Sequence, residues 1–349
     1  MSRKSVAIAA FKKFDEERSR DPDSKPLPSK YFIRTIARMK YDFQAMRITI
    51  CARLKMKADG TKQKGADDYL KNMPTSSYDR LSEALISVSA EEDNMDNELI
   101  NWVESQPFYI DKMKSVLGLG PMMSAIILTE FDITKADTVS KLWAYAGLSP
   151  GMVHPYKMVE DPKGEKDPIT KRVKKVPVLQ ENVLVRQDRL TPDYMSPFNN
   201  FLKSKLMGVL APSFIKASSA RYRGFYDQTK NRWMQSFGRE VPNFKGEPKK
   251  MTKGWAQNRA YRFMMKMFLL DYYVEHRTYL GLPVTATYQE DKLGHVHSEG
   301  HPGEVAGWYN ADIRLNKDPD PDFLDEDGNE LDETAAPMSI GEDGLETMN

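Results

Sequence analysis

The sequence predicts a mainly α protein: a coiled-coil helical hairpin followed by a helix-hairpin-helix-containing helical domain, with a small β-hairpin insertion and a disordered acidic tail. Three observations carry this expectation. Two segments, 32–54 and 81–102, repeat a stripe at intervals of three and four, apolar throughout but for Glu92, the heptad spacing of a helical seam. The later apolar stretches are closed by Gly and Pro in the order that stops helices. From Ala311 to Asn349 thirteen Asp or Glu stand against two Lys or Arg, too little apolar mass to offset the entropy of ordering.

Residues 1–30 form a flexible N-terminal segment, polar and ending in Lys25-Pro26-Leu27-Pro28. A coiled-coil helical region over 31–106 follows. Its first seam is Phe32, Ile36, Met39, Phe43, Met46, Ile50 and Leu54, with Arg34, Arg38, Arg47 and Arg53 off or beside it. The Gly- and Lys-rich stretch from Lys57 to Asp67 reads as a loop. The second seam is Leu81, Leu85, Val88, Glu92, Met95, Leu99 and Trp102. The two helices make either an antiparallel hairpin or two arms of a dimer. Over 107–283 the character changes to a helical domain. Leu117-Gly118-Leu119-Gly120-Pro121 breaks the periodicity, and an apolar helix from Met122 ends near Glu130. Another runs from Val139 to Ala146 and stops at Gly147. Within the insertion 151–195, the alternating stretch from Val176 to Val185 suggests a β-hairpin. Helical signal returns from Asn199 to Trp233, then a loop carries Pro242, Gly246 and Pro248. A last helix from Gln257 to Tyr279 is closed by Gly281 and Pro283. Residues 284–349 are a Gly/His loop and the acidic tail.

A length of 349 residues holds about two domains, and 40% hydrophobic with 29% charged residues is close to a soluble average. No apolar run reaches the ~18–20 residues of a membrane span, and the short run after Met1-Ser2-Arg3-Lys4 is too brief for a signal peptide. The single cysteine, Cys51, excludes an internal disulfide framework and a four-cysteine zinc site. A cytoplasmic, nucleoid-associated protein with no membrane partner is expected. The net charge of +1 divides into +12 on residues 1–310 and −11 on the remainder. A basic body attracts polyanions. The tail reads as solubilising or as a nucleic-acid mimic folding back over that body.

Leu117-Gly118-Leu119-Gly120 has the form of a helix-hairpin-helix turn. There Gly118 and Gly120 bend the chain, and Ser124 with the free N–H groups of the next helix holds a phosphate. The plainer reading is a glycine turn between packed helices. Arg221-Tyr222-Arg223 and Lys230 interleave cations with aromatics, and Lys203 and Lys205 lie in an earlier helix. Arg259, Arg262 and Lys266, at i, i+3 and i+7, share one face of the last helix and suit a phosphate backbone. An ordinary solvated face is the alternative. His295, His297, His301 and Glu299 carry metal-ligand chemistry but lie in a Gly-rich loop that does not fix their geometry, so no metal is assigned. No P-loop, His-Glu-x-x-His or Gly-x-Ser-x-Gly motif occurs.

Gln106-Pro107-Phe108-Tyr109 through Gly120-Pro121, Ser140-Lys141-Leu142-Trp143-Ala144-Tyr145-Ala146-Gly147-Leu148, Arg221-Tyr222-Arg223-Gly224-Phe225-Tyr226 and Arg259-Ala260-Tyr261-Arg262 stand in an order that resembles the transposase family named for insertion sequences 110, 116 and 902. The resemblance spans roughly residues 31–283 and covers the family's C-terminal domain with the helical region before it. It implies DNA transposition or recombination and a serine nucleophile on that domain. It further implies an N-terminal RuvC-like domain whose acidic tetrad binds divalent metal, and in some members a structured RNA guide. The chain departs from the pattern twice: too few residues precede Tyr31 to hold the RuvC-like domain, and no Ser-Gly pair follows Ala146-Gly147-Leu148-Ser149-Pro150. Ser149 is the nearest hydroxyl and a weak candidate. The expected protein therefore binds DNA, with structured RNA as a second candidate partner, as a homodimer through the heptad helices and without cleaving on its own. It needs no cofactor of its own, with Mg2+ required only where another polypeptide supplies the RuvC-like half. An active transposase completed in trans and a non-enzymatic coiled-coil scaffold are the alternatives.

Overall fold

A computed structural model describes residues 29–164, 173–242 and 248–285, together with Trp308 and Asp312. The described chain is mainly α. The His295–His301 loop and the acidic residues after Asp312 lie outside the described residues, as do residues 1–28.

Helix α1 (Lys30–Arg53) starts at Ser29, whose hydroxyl accepts from the Phe32 N–H and satisfies one orphan donor of the first turn. A loop and the short helix α2 (Ala66–Lys71) lead to α3 (Thr75–Glu104). Helices α1 and α3 pack antiparallel. Ile50 and Leu54 meet Val88 near the loop, while Ile33, Ile36 and Ala37 join Leu99 and Val103 in the main core. Between the two apolar blocks lies a polar belt. Arg47 Nε is 2.6 Å from Glu92, and Lys40 lies 3.8 Å from Glu92 and 3.5 Å from Asp96. A slip of one heptad would set these charges against aliphatic side chains, so the belt fixes the register.

The α3 face is the one read from sequence, with Val88, Glu92 and Leu99 buried. The α1 seam is corrected. Phe32, Met39 and Met46 are 50%, 42% and 50% exposed, whereas Ile33, Ala37 and Lys40 are buried. Helix α1 also packs against α4, so its buried stripe is rotated toward positions one residue later.

After a single π turn (Tyr109–Met113) and a bend, α4 (Pro121–Glu130) runs buried from Met123 to Glu130. Its apolar residues surround the axis, the pattern of a helix enclosed by others. At its end the fully buried Glu130 carboxylate accepts from Arg38 and Asn199 and pairs with Arg34 at 2.8 Å. That hub ties α1 to the chain leading into α6. Helix α5 (Val139–Tyr145) stops at Gly147, whose φ is +66° and where an added Cβ would sit 2.6 Å from the Phe198 ring, so only glycine fits.

The insertion is built differently from the expected Val176–Val185 hairpin. Strand β1 (Met152–Val153) pairs with β4 (Val185–Arg186), and β2 (Tyr156–Glu160) with β3 (Lys175–Leu179), all antiparallel. Val176–Leu179 thus finds its partner upstream, because the turn after Gln180 carries the chain away to β4.

The helical signal of 199–233 resolves into α6 (Asn200–Lys205), a π turn (Leu206–Leu210), α7 (Ala211–Lys216) and α8 (Ala220–Met234). A break falls at Ser218, where φ is +52°. The expected loop beyond contains a short hairpin, β5 (Glu240–Pro242) with β6 (Pro248–Lys250). Helix α9 (Lys253–Tyr279), capped by the Thr252 hydroxyl, packs along α8. Between them Tyr222, Phe225, Tyr226, Tyr261 and Phe268 are fully buried, and Tyr272 is buried against Phe108 and Phe131. Burial of each such ring contributes about 2–3 kcal/mol by area. No helix among the described residues is long and apolar enough to cross a membrane.

Candidate nucleic-acid interface

The β1–β4 ladder brings the chain at 185–189 beside α6 and α9. Asp188, with no exposed side-chain surface, accepts from Arg186 Nε and Nη2 at 2.8 Å each and from Arg262 Nη1 at 2.6 Å. Burial alone would raise its carboxyl. The Arg186 hydrogen bonds and the charges of Arg262 and Lys203 outweigh burial and hold it below the usual carboxylate range. Lys203 Nζ donates to the Asp188 carbonyl and sits 4.6 Å from the Phe198 ring centre. Burial, reinforced by Arg262, lowers its ammonium to about 8.

Two further cations extend the group along α9. The Arg259 guanidinium lies 4.1 Å from the Trp233 ring and 4.9 Å from Trp255, and Lys266 lies 4.3 Å above Trp143. The Trp143 indole N–H in turn donates to the Lys266 carbonyl at 2.9 Å. Burial lowers the ionisation of both cations, and the Arg262 charge lowers both further. Arg186, Lys203, Arg259, Arg262 and Lys266 therefore share one field with Asp188 as the carboxylate among them, an excess of about four positive charges. Arg189 adds to the field felt by Lys203. Each cation–π contact, worth roughly 0.5–2 kcal/mol, holds its side chain in place before any ligand arrives. Guanidinium forks and ammonium charges in this arrangement have the chemistry to pair with anionic oxygens.

Of the residues expected from sequence, Lys203, Arg259, Arg262 and Lys266 are brought together here. The others are not, and four of them are corrected. Arg221 is buried in a pair with Asp271 at 2.6 Å, joined by the Tyr222 hydroxyl. Arg223 is buried and donates to the Ile215 carbonyl and Ser218 Oγ. Ser124 is wholly buried, its hydroxyl donating to the Gly120 carbonyl. Gly118, with φ +85°, turns into the core: a Cβ there would sit 2.8 Å from the Phe214 ring, and Ser213 Oγ donates to its carbonyl. Arg221 and Gly118 meet distant partners, on α9 and α7, whereas Arg223 and Ser124 are satisfied within eight residues; all four serve packing. Gly120 is exposed at the start of α4. Lys205 lies 3.1 Å over the Tyr41 ring on the α1 side, its ammonium lowered to about 8 by burial and Lys40. Lys230 lies 5.3 Å from the Tyr226 ring.

Ser149 is half-buried and lies next to the cluster, since the Gln187 N–H donates to the Gly151 carbonyl at 2.7 Å. Among the described residues its hydroxyl bonds to no His, Asp or Glu that would activate it. No group of three or more His, Cys, Asp or Glu among those residues is placed to hold a metal ion.

Arg186, Asp188 and Trp143 were not singled out by sequence. The charged run Arg186-Gln187-Asp188-Arg189 is visible there, but its approach to α9 spans 74 positions and leaves no local signature. Compared with known proteins, the chain matches no family model and no curated protein.

Proposed function

We propose that the chain is a transposase-like DNA-binding protein, acting in DNA transposition or recombination, that grips the phosphate backbone with the cations around Asp188. The observation that carries the reading is five cations gathered around one carboxylate, Arg186 and Arg262 bonded to it and Lys203, Arg259 and Lys266 seated on aromatic rings. The ordered motifs of residues 31–283 support the transposase-like half of it. The exposed Gly120 and the start of α4 add a helix-hairpin-helix-type phosphate contact beside the cluster's own. Structured RNA presents the same phosphates and is the other polyanion to test.

Electrophoretic and anisotropy binding to a 30-base-pair duplex at 50 and 200 mM salt tests the reading. With about four phosphates neutralised, affinity should fall by roughly two orders of magnitude across that range. Replacing Arg259 and Lys266 together with Gln should flatten the salt slope by about two. Absence of binding at 50 mM, or binding indifferent to salt, refutes it.

Two finer parts of the reading follow. The row Phe32, Met39 and Met46, at seven-residue spacing and exposed on α1, is where a second copy would pack in a homodimer. Met39→Lys should convert such a dimer to a monomer in light scattering. The place of Ser149 beside the cluster favours, as a second reading, a recombinase completed by a partner that supplies the metal-binding half. A covalent protein–DNA adduct that needs such a partner with Mg2+ and is lost in Ser149→Ala would establish it.

A further inference from the structure

The chain carries its own polyanion. Between Asp318 and Glu333 there are nine Asp or Glu and no Lys or Arg, with Phe323 and Leu324 in the middle. The −11 of the C-terminal stretch nearly matches the +12 of the rest. The run Asp318-Pro319-Asp320-Pro321-Asp322 carries a carboxylate at every second position, a row of anions in the sequence.

Trp308, ten positions before this row, is held to the fold. The Trp308 backbone N–H donates to Glu275 on α9 at 3.3 Å, and its indole lies 5.8 Å from the Phe108 ring and packs on the core. Glu275 is nine residues beyond Lys266, which places it about 13 Å further along α9 and on the opposite side of that helix. The path from there to the cluster is that rise plus the circuit of one or two helix layers of ~10 Å each, roughly 20–30 Å. Seventeen residues from Trp308 to Asp325 span up to about 56 Å, so the acidic row reaches the cluster with chain to spare. Tethered at that distance, it acts at an effective concentration on the order of millimolar.

We propose that residues 318–333 of this same chain occupy the basic cluster around Asp188 and must be displaced before nucleic acid binds there. The inference rests on the reading of that cluster as a nucleic-acid site. The row's carboxylates take the place of phosphates on Arg259, Arg262, Lys203 and Lys266, and Phe323 and Leu324 meet the aromatic supports. Only a ligand carrying more charge than the tail, a polynucleotide rather than a mononucleotide or a short acidic peptide, displaces it. Non-specific contacts are thereby suppressed.

Three proteins decide the matter: the full chain, a chain ending at Lys317, and the full chain with the acids of 318–333 changed to Asn and Gln. Binding of a fluorescein-labelled 30-nucleotide DNA is followed by anisotropy from 50 to 300 mM salt. At 100 mM salt the shortened and the neutralised chains should bind at least tenfold more tightly than the full chain. Their dependence on salt should also be steeper, because the released tail of the full chain takes cations back up. Equal affinity and slope in all three overturn the inference while leaving the nucleic-acid reading intact. Should none of the three bind DNA, that reading fails, and carbodiimide cross-linking of the full chain decides the contact separately. Links from 318–333 to Lys203 or Lys266 that vanish in 0.5 M salt sustain it; links absent from both lysines overturn it.

Discussion

Asp188→Asn separates the two roles of the basic cluster, because stability and affinity should move in opposite directions. The substitution preserves volume but removes the one negative charge and sets an amide NH2 against guanidinium donors. Three charge-assisted hydrogen bonds are weakened, each worth about 1.5–3 kcal/mol. The loss is partial, since Arg186 and Arg262 keep 26% and 35% of their side-chain surface in water and can turn outward. A net loss of about 2–4 kcal/mol follows, or a fall in Tm of roughly 5–12 °C. Binding gains instead. At about 8 Å from a bound phosphate, the removed charge was worth about 0.5 kcal/mol at a water-like dielectric and about 2 kcal/mol at an effective value near 20. DNA affinity should therefore tighten roughly two- to thirtyfold at 50 mM salt, the gain shrinking as salt rises. Differential scanning fluorimetry and anisotropy on the same preparation read both quantities. A variant that is less stable yet unchanged or weaker in DNA binding, with its circular dichroism intact, refutes the assignment of this cluster to polyanions.

Arg221→Met should cost about 3–5 kcal/mol in chemical denaturation, because Asp271 is left charged in the core. The folded fraction should keep its DNA affinity, and adding Asp271→Leu should restore most of the stability. Raising pH through about 8 discharges Lys203, so DNA binding should weaken two- to fivefold between pH 7 and pH 9, and Lys203→Arg should abolish that dependence. His276 is stacked on Phe108 at 4.0 Å, and its imidazole is lowered to about 4 by burial and by Lys30. Below pH 6.5 the unfolded chain binds a proton that the folded one refuses. Stability should therefore fall as pH drops from 6.5 to 4, by about 3 kcal/mol in all and with no further loss below 4. Urea titrations of His276→Gln should lack that component.

The helices that sequence located best are those punctuated by Gly and Pro. Pro121 opens α4, Gly147 follows α5, and Gly281 with Pro283 follows α9. Seam phase on α1 was legible only to one residue, because a helix packed on two neighbours buries a stripe wider than a two-helix seam, and Ile33 and Ile36 both qualify. Charge was legible as a total but not as a distribution. Arg221 and Arg262 look equivalent in sequence, yet one meets Asp271 in the core and the other shares Asp188 at the surface. Nothing local distinguishes them, since both carboxylates arrive from at least fifty positions away.

The π turn at Leu206–Leu210 has a geometric consequence for the rod that spans 200–216. Its wider turn carries one residue more than an α-helical turn, so the two ends of the rod are out of phase by about a hundred degrees. That offset lets Leu202, Leu206 and Leu210 point inward at one end while Phe214 and Ile215 do so at the other, with Lys203 on one flank and Lys205 on the opposite one. Excising Gly208, which is exposed and touches nothing a Cβ would meet, would restore an ordinary helical pitch. The rod would then have to choose between seating its phenylalanine and aiming its lysines.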